Sequence, residues 1–145
     1  MMVDKVLFSS DSMVWETPKD YFDKLNRKFK FDLDACASDT NYKVDTYFTE
    51  NDDALKQKWG GNVFINPPYG RHIGDFIKKA YEEHLRDPNR FIVMLIPSRT
   101  DTKYWHEYIQ DKATVKFLKG RLKFEISGKS MDAAPFPSAL VVYGL

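Results

Sequence analysis

The residues best suited to chemistry are Asn66-Pro67-Pro68-Tyr69, which follow a short apolar stretch. A planar amino group conjugated to a ring or carbonyl has a delocalised lone pair and is barely nucleophilic. It needs acceptors on its N–H bonds. The Asn66 side-chain oxygen can take one N–H and the Pro67 carbonyl the other, biasing the nitrogen toward a tetrahedral form whose lone pair is free. Pro68 fixes the direction of that carbonyl, because a residue before proline is held extended. Tyr69 offers a flat face on which an extruded base can stack. No strong general base is required, since the nitrogen becomes acidic once alkylated. A plain turn with a tyrosine packed nearby accounts for the same four residues, but their place directly after an apolar strand favours chemistry.

The elements that position this loop alternate along the chain. Thr17 can cap a helix with Pro18 at its first position and Asp20 in its first turn, and Tyr21, Phe22, Leu25 and Phe29 form its apolar stripe. Phe29, Phe31 and Leu33 alternate with Lys30 and Asp32, which predicts a strand whose exit turn is residues 34–37. An extended piece spans residues 44–49. Asn51-Asp52-Asp53 then caps a short helix running from Leu55 to Trp59, ended by Gly60-Gly61. Residues 62–65 read as a buried strand that two consecutive prolines terminate.

Ile73, Phe76, Ile77, Ala80 and Tyr81 recur at helical spacing up to a stop at Pro88-Asn89. The unbroken apolar run from Phe91 to Ile96 predicts a strand buried on both faces, closed by Pro97. A helix follows from about Thr100, with Tyr104, Trp105, Tyr108 and Ile109 on its inner face. Strands joined without helices come last, at residues 114–118, 122–126 and 139–143. The pattern predicts one open α/β sheet, mostly parallel, with an antiparallel edge. Ligands of such sheets lie beyond the carboxyl ends of the parallel strands, where the loops at 34–38, 51–53 and 66–69 converge.

Composition bounds the partners. The chain has 145 residues, 43% of them hydrophobic and 30% charged, which suits one packed domain. Its longest apolar run is far shorter than the roughly 20 residues of a membrane span, and the amino terminus lacks a basic-then-apolar layout. A cytoplasmic address is expected. One cysteine and three scattered histidines give no metal-ligand spacing, so no metal is expected.

The formal charge of +1 conceals two unlike regions. Residues 32–53 hold seven acids and one base, whereas residues 112–129 hold six bases and one acid. The second region suits a polyanion. Arg71, His72, Arg99, Lys103, Lys116, Lys119, Arg121, Lys123 and Lys129 are candidates for phosphate contacts, and Phe124 is either a second wall for an extruded base or core. With no room for a separate target-recognition domain, specificity is expected from the loops at 70–74 and 127–137.

Several segments together are similar to one family. Trp15-Glu16-Thr17-Pro18, Phe31-Asp32-Leu33-Asp34-Ala35-Cys36-Ala37, Asp53-Ala54-Leu55 with Trp59, Asn66-Pro67-Pro68-Tyr69, Gly120-Arg121-Leu122-Lys123-Phe124 and Pro135-Phe136-Pro137-Ser138 resemble the phage and prophage DNA adenine methyltransferases of the Dam type. The resemblance spans about residues 15–143 and implies S-adenosylmethionine-dependent methylation of the exocyclic amino nitrogen of adenine in DNA. It also implies a Rossmann-like methyltransferase sheet ending in a β hairpin. By the same resemblance, Asn66 to Tyr69 are the catalytic residues, and Asp34, Ala35 and Cys36 approach the methionine part of the cofactor. Asp53, or its neighbour Asp52, meets the cofactor's adenine, and Trp15 with Thr17 and Pro18 lies over the cofactor, which Asn66 also touches.

Either aspartate is equally an N-cap, and Cys36 a small buried hydrophobe. One departure stands out: residues 34–38 contain no glycine where the wider methyltransferase pattern has Gly-x-Gly, and small side chains partly replace it. DNA is the expected partner of a monomer or weak homodimer in a bacterial host. The same amino-group chemistry also serves RNA adenine or a protein glutamine, and the fold could persist as a non-catalytic nucleic-acid-binding module.

Overall fold

In the computed structural model, which describes residues 15–145, helix α1 (Lys19–Phe29) buries Phe22, Leu25 and Phe29. Pro18 itself takes the capping position, with no side-chain cap, and Thr17 is buried beside it. The expected Thr17 cap is therefore replaced. A distant carboxylate supplies it instead: Glu125 Oε2 accepts the Lys19 N–H at 3.3 Å, where the helix dipole favours negative charge. The helix ends where Lys30 adopts a left-handed conformation, φ 52°, and donates its N–H to the Asn26 carbonyl. Asn26 Oδ1 then accepts the Phe31 N–H at 2.9 Å. Phe29 thus belongs to the helix, and the strand expected from it shrinks to β1 (Leu33–Asp34). Phe31 turns inward and packs with Phe22, Phe29 and Phe64.

β1 pairs in parallel with β2 (Val63–Ile65), and β2 with β3 (Ile92–Pro97). Helix α2 (Ile73–Arg86) joins β2 to β3 and buries Ile73, Ile77 and Ala80. The helix expected from Thr100 is a single π turn, Trp105–Ile109. Its inner residues Trp105 and Ile109 are buried as the periodicity required, but Asp111 at φ 63° turns the chain back toward β4 (Thr114–Phe117) after that one turn. Residues 122–126 contribute only β5 (Glu125–Ile126), which pairs with β6 (Lys129–Ser130) as a separate two-stranded hairpin turning on Ser127 and Gly128, both at positive φ.

The expected antiparallel section is present at one side of the sheet, and its last strand lies inside rather than at the margin: β7 (Ser138–Tyr143) takes the fourth place in the order β1-β2-β3-β7-β4, antiparallel to both neighbours. The reason is its composition. All six residues are buried, and a strand buried on both faces is best placed inside the sheet.

Below the amino ends of the strands, Glu83 on α2 accepts the Trp59 N–H at 2.7 Å and meets Arg86 at 2.7 Å. Arg90 donates to the Trp59 and Gly61 carbonyls. This cluster locks residues 54–62 onto α2. The short helix expected from Leu55 to Trp59 is one 3-10 turn, Ala54–Lys56, because the Trp59 indole N–H caps back onto the Ala54 carbonyl at 2.9 Å. No helix among the described residues is long and apolar enough to cross a membrane.

Candidate active site

The carboxyl ends of β1 and β2 open onto a cavity of about 1060 Å³. Residues 34–39, 49–51, 53–55 and 68–72 line it together with Asn66 and Trp15 to Thr17. The three loops marked in the sequence therefore meet. Pro18, Asp52 and Pro67 are not part of this lining.

Asn66 carries the most telling feature. Its Nδ2 donates to the Trp15 carbonyl at 2.7 Å, whereas its Oδ1 is buried and has no hydrogen-bond partner. A buried acceptor left unpaired costs free energy, about 1–3 kcal/mol, so it is an anomaly unless a ligand donates to it. The next residues are Pro67, buried, and Pro68 on the cavity wall, all in trans peptide linkage. Tyr69 donates its hydroxyl to the Leu95 carbonyl at 3.0 Å, and burial holds that hydroxyl protonated far above its ordinary range. Its ring is edge-on to Phe136 and Phe124 and only 3% exposed, so the flat face expected to be open is largely covered. Phe124 itself is fully buried, which assigns it to core rather than to the wall of a base pocket.

Asp34 ends β1 with its carboxylate buried at 3% exposure. Its main chain is held by the Thr46 carbonyl and the Phe48 N–H, so the extended piece at 44–48 lies alongside it. Cys36 is half-buried on the cavity wall, where desolvation and the neighbouring Asp34 push its thiol well above the ordinary range. Such a thiol stays protonated. Asp53 at φ 55° caps the 3-10 turn, accepting the Leu55 N–H at 3.2 Å, and lines the cavity as well. Asp52 instead shapes the loop by accepting the Thr49 N–H at 2.8 Å and its hydroxyl at 3.1 Å.

The cavity is acidic. Glu16, Asp34, Asp39, Glu50, Asp53 and Asp75 face Lys43 and Arg71. Glu16, Asp39, Glu50 and Asp75 are additions to the sequence-derived set; the acidic bias of residues 32–53 is the available signal for Asp39 and Glu50.

Among the basic candidates, Arg71 is exposed on the cavity rim, its Nε 3.3 Å from His72 Nε2. Arg99 and Lys103 are exposed beyond the end of β3, with Lys103 3.6 Å from Glu107. Arg121 is exposed and donates to the Ala134 carbonyl at 3.2 Å. These last three stand outside the cavity lining. No group of three or more His, Cys, Asp or Glu among the described residues could hold a metal.

A family model described as DNA N-6-adenine-methyltransferase (Dam) matches residues 6–143. A protein of that name from Escherichia phage T1 is 34% identical over 118 residues, 79% of this chain; the chain spans about half the length of this relative, 48%. Another of that name, from Haemophilus phage HP1 (strain HP1c1), is 30% identical over 149 aligned positions, covering 99% of this chain and 85% of the relative.

Proposed function

Because the chain belongs to the DNA N-6-adenine-methyltransferase family, we propose that it transfers a methyl group from S-adenosylmethionine to the exocyclic amino nitrogen of adenine in DNA. The observation that carries this reading is the unpaired, buried Asn66 Oδ1. An acceptor held there matches an amino group whose lone pair must be freed from its ring.

The residues fit the cofactor on two counts. A cavity of about 1060 Å³ lies just above the roughly 300–1,000 Å³ of small-molecule sites, so it has room for the cofactor and part of a base. Its acidic lining complements a ligand bearing a sulfonium and an ammonium, and Asp34 is the buried charge nearest the β1 end. When bound, S-adenosylmethionine would supply an electrophilic methyl group to the amino nitrogen, with its sulfur as the leaving group.

The chain's own part is positional. Asn66 Oδ1 takes one amino N–H and the Pro67 carbonyl the other, and Pro68 holds that carbonyl extended. The proton is lost from nitrogen to solvent after alkylation has made it acidic, so no strong general base is needed. Asp34, Ala35 and Cys36 bound the methionine end, Asp53 the adenine end, and Trp15 with Thr17 the cover, with Pro18 next in the chain. Exposed Arg71 at the rim, and Arg99, Lys103 and Arg121 outside it, serve the phosphates. The parallel β1-β2-β3 half, with its cavity beyond the carboxyl ends, supports a Rossmann-like methyltransferase topology.

Labelled methyl transfer to unmethylated DNA, followed by digestion and mass analysis, tests the reading. The parent is expected to yield N6-methyladenine and Asn66→Ala about a hundredfold less. Equal incorporation by the two, or a product other than methyladenine, overturns it.

A further inference from the structure

A side-chain amide has two ends that differ in chemistry but little in shape. A half-turn of Asn66 would put a donor where an acceptor is needed. One orientation is selected, because Nδ2 donates to the Trp15 carbonyl at 2.7 Å and a carbonyl can only accept. That carbonyl is itself held from two directions. The Trp15 ring stands edge-on to Phe124 and Phe136, with centroids 5.6 and 5.5 Å away. The next residue, Glu16, exchanges main-chain bonds with Glu125 of β5: its N–H donates at 3.0 Å and its carbonyl accepts at 2.9 Å. The Glu16 carboxylate also accepts the Gly128 N–H at 3.4 Å, from the turn of the hairpin. Residues 15–17 thus form a strap between helix α1 and the β5-β6 hairpin.

We propose that this strap, with Trp15 and Glu16 as positioning residues, selects the orientation of the Asn66 amide and makes it depend on the seating of the β5-β6 hairpin. The proposal rests on the catalytic reading of Asn66 given above. The hairpin bears exposed Lys129, and exposed Arg121 and Lys123 lead into it. The part of the chain best charged to meet a polyanion is therefore the part that seats the strap. Neither Trp15 nor Glu16 has to touch the reacting atoms for this to operate.

The test reads Asn66 directly. In the parent, the side-chain ¹H–¹⁵N signals of Asn66 are expected to show one downfield, slowly exchanging proton, the one given to Trp15. Glu16→Pro deletes both the N–H that pairs with Glu125 and the carboxylate that accepts the Gly128 N–H, and leaves every ring in place. It is expected to speed that exchange at least about tenfold and to lower kcat about tenfold. Trp15→Ala is expected to do the same, and Trp15→Phe to restore both readouts. If Trp15→Ala does not fold, Glu16→Pro decides alone. Unchanged Asn66 signals in folded Glu16→Pro, or a loss confined to KM, overturns the proposal. If the signals respond as expected while the parent methylates no DNA, the strap stands and the methyl-transfer reading falls.

Discussion

Asp34 accepts the main-chain N–H of Lys43 at 3.0 Å, not its ammonium, and with its other oxygen the N–H of Cys36 at 3.3 Å. Burial dominates its titration and pushes the carboxyl up to about 6, although the two N–H bonds and the Lys43 charge pull the other way. The result is a buried carboxylate compensated by two main-chain N–H dipoles and by the Lys43 charge. A cationic ligand at the end of β1 would complete it.

Cofactor affinity should therefore depend on Asp34 ionisation. Below about pH 6 the carboxyl is protonated in the free protein, so binding is expected to weaken toward a limit of about tenfold per pH unit. Calorimetric titration with S-adenosylmethionine from pH 5 to 8 measures this. Asp34→Asn should flatten the profile, and a flat profile in the parent would detach Asp34 from the site.

The same shift has a consequence for folding. The folded-state value lies above the ordinary 3.8, so the native chain holds this proton more tightly than the unfolded one, and stability falls as pH rises from about 4 to about 6. The Asp34 contribution to that fall amounts to about 3 kcal/mol. Urea unfolding of the parent and Asp34→Asn at pH 4 and pH 7 isolates it. The parent should lose ground to the variant between the two.

Glu83 behaves in the opposite sense. Burial acts to raise its carboxyl, but hydrogen bonds from Arg86 and the Trp59 N–H, with the charges of Lys79 and Arg86, prevail and hold it down at about 2. Its stabilisation is present above the ordinary 4.5 and is lost as pH falls toward 2. Glu83→Ala would strand buried Arg90 and should cost about 3–5 kcal/mol in urea unfolding at pH 7. Because the cluster lies at the amino ends of the strands, the folded fraction of the variant should keep the parent's kcat.

Arg71 is the cationic side chain exposed at the cavity rim, and a phosphate contact there is sequence-blind. Arg71→Ala should weaken binding to unrelated DNA duplexes alike and reduce the slope of log affinity against log salt by about 0.9. Fluorescence anisotropy across a salt series checks this. An unchanged slope would remove Arg71 from the interface.

Much of the site was legible because it depends on local constraints. Two prolines after Asn66 cannot extend a ladder, and the apolar run at Ile92 to Ile96 has one plausible element, so both the loop and β3 follow from composition. Asn66, Asp34 and Asp53 then share a cavity because strand ends share a side of the sheet. Long-range bonds were not legible. Thr17 looked like a cap until Glu125, 106 residues from Lys19, took that function. Phe29 alternates with Phe31 and Leu33 in the sequence, but the left-handed Lys30 divides helix from strand between them. Tyr69 and Phe124 carry flat faces that periodicity cannot assign to a ligand or to each other. Asp53 caps the 3-10 turn as one of its sequence readings has it, and its place in the cavity lining leaves its second oxygen available to a ligand.

The interior place of β7 also imposes an order on synthesis. β4 joins the sheet through β7, and β3 finds its second neighbour in β7, so a nascent chain that has reached Pro137 holds β3 with one ladder unmade and β4 unattached. Closure waits for the six residues from Ser138 to Tyr143, whose partners in β3 lie between 41 (Pro97 to Ser138) and 51 (Ile92 to Tyr143) residues away in sequence. Contacts that distant slow folding. A chain cut short before those residues would display an open apolar edge, the state in which this sheet is most exposed to aggregation.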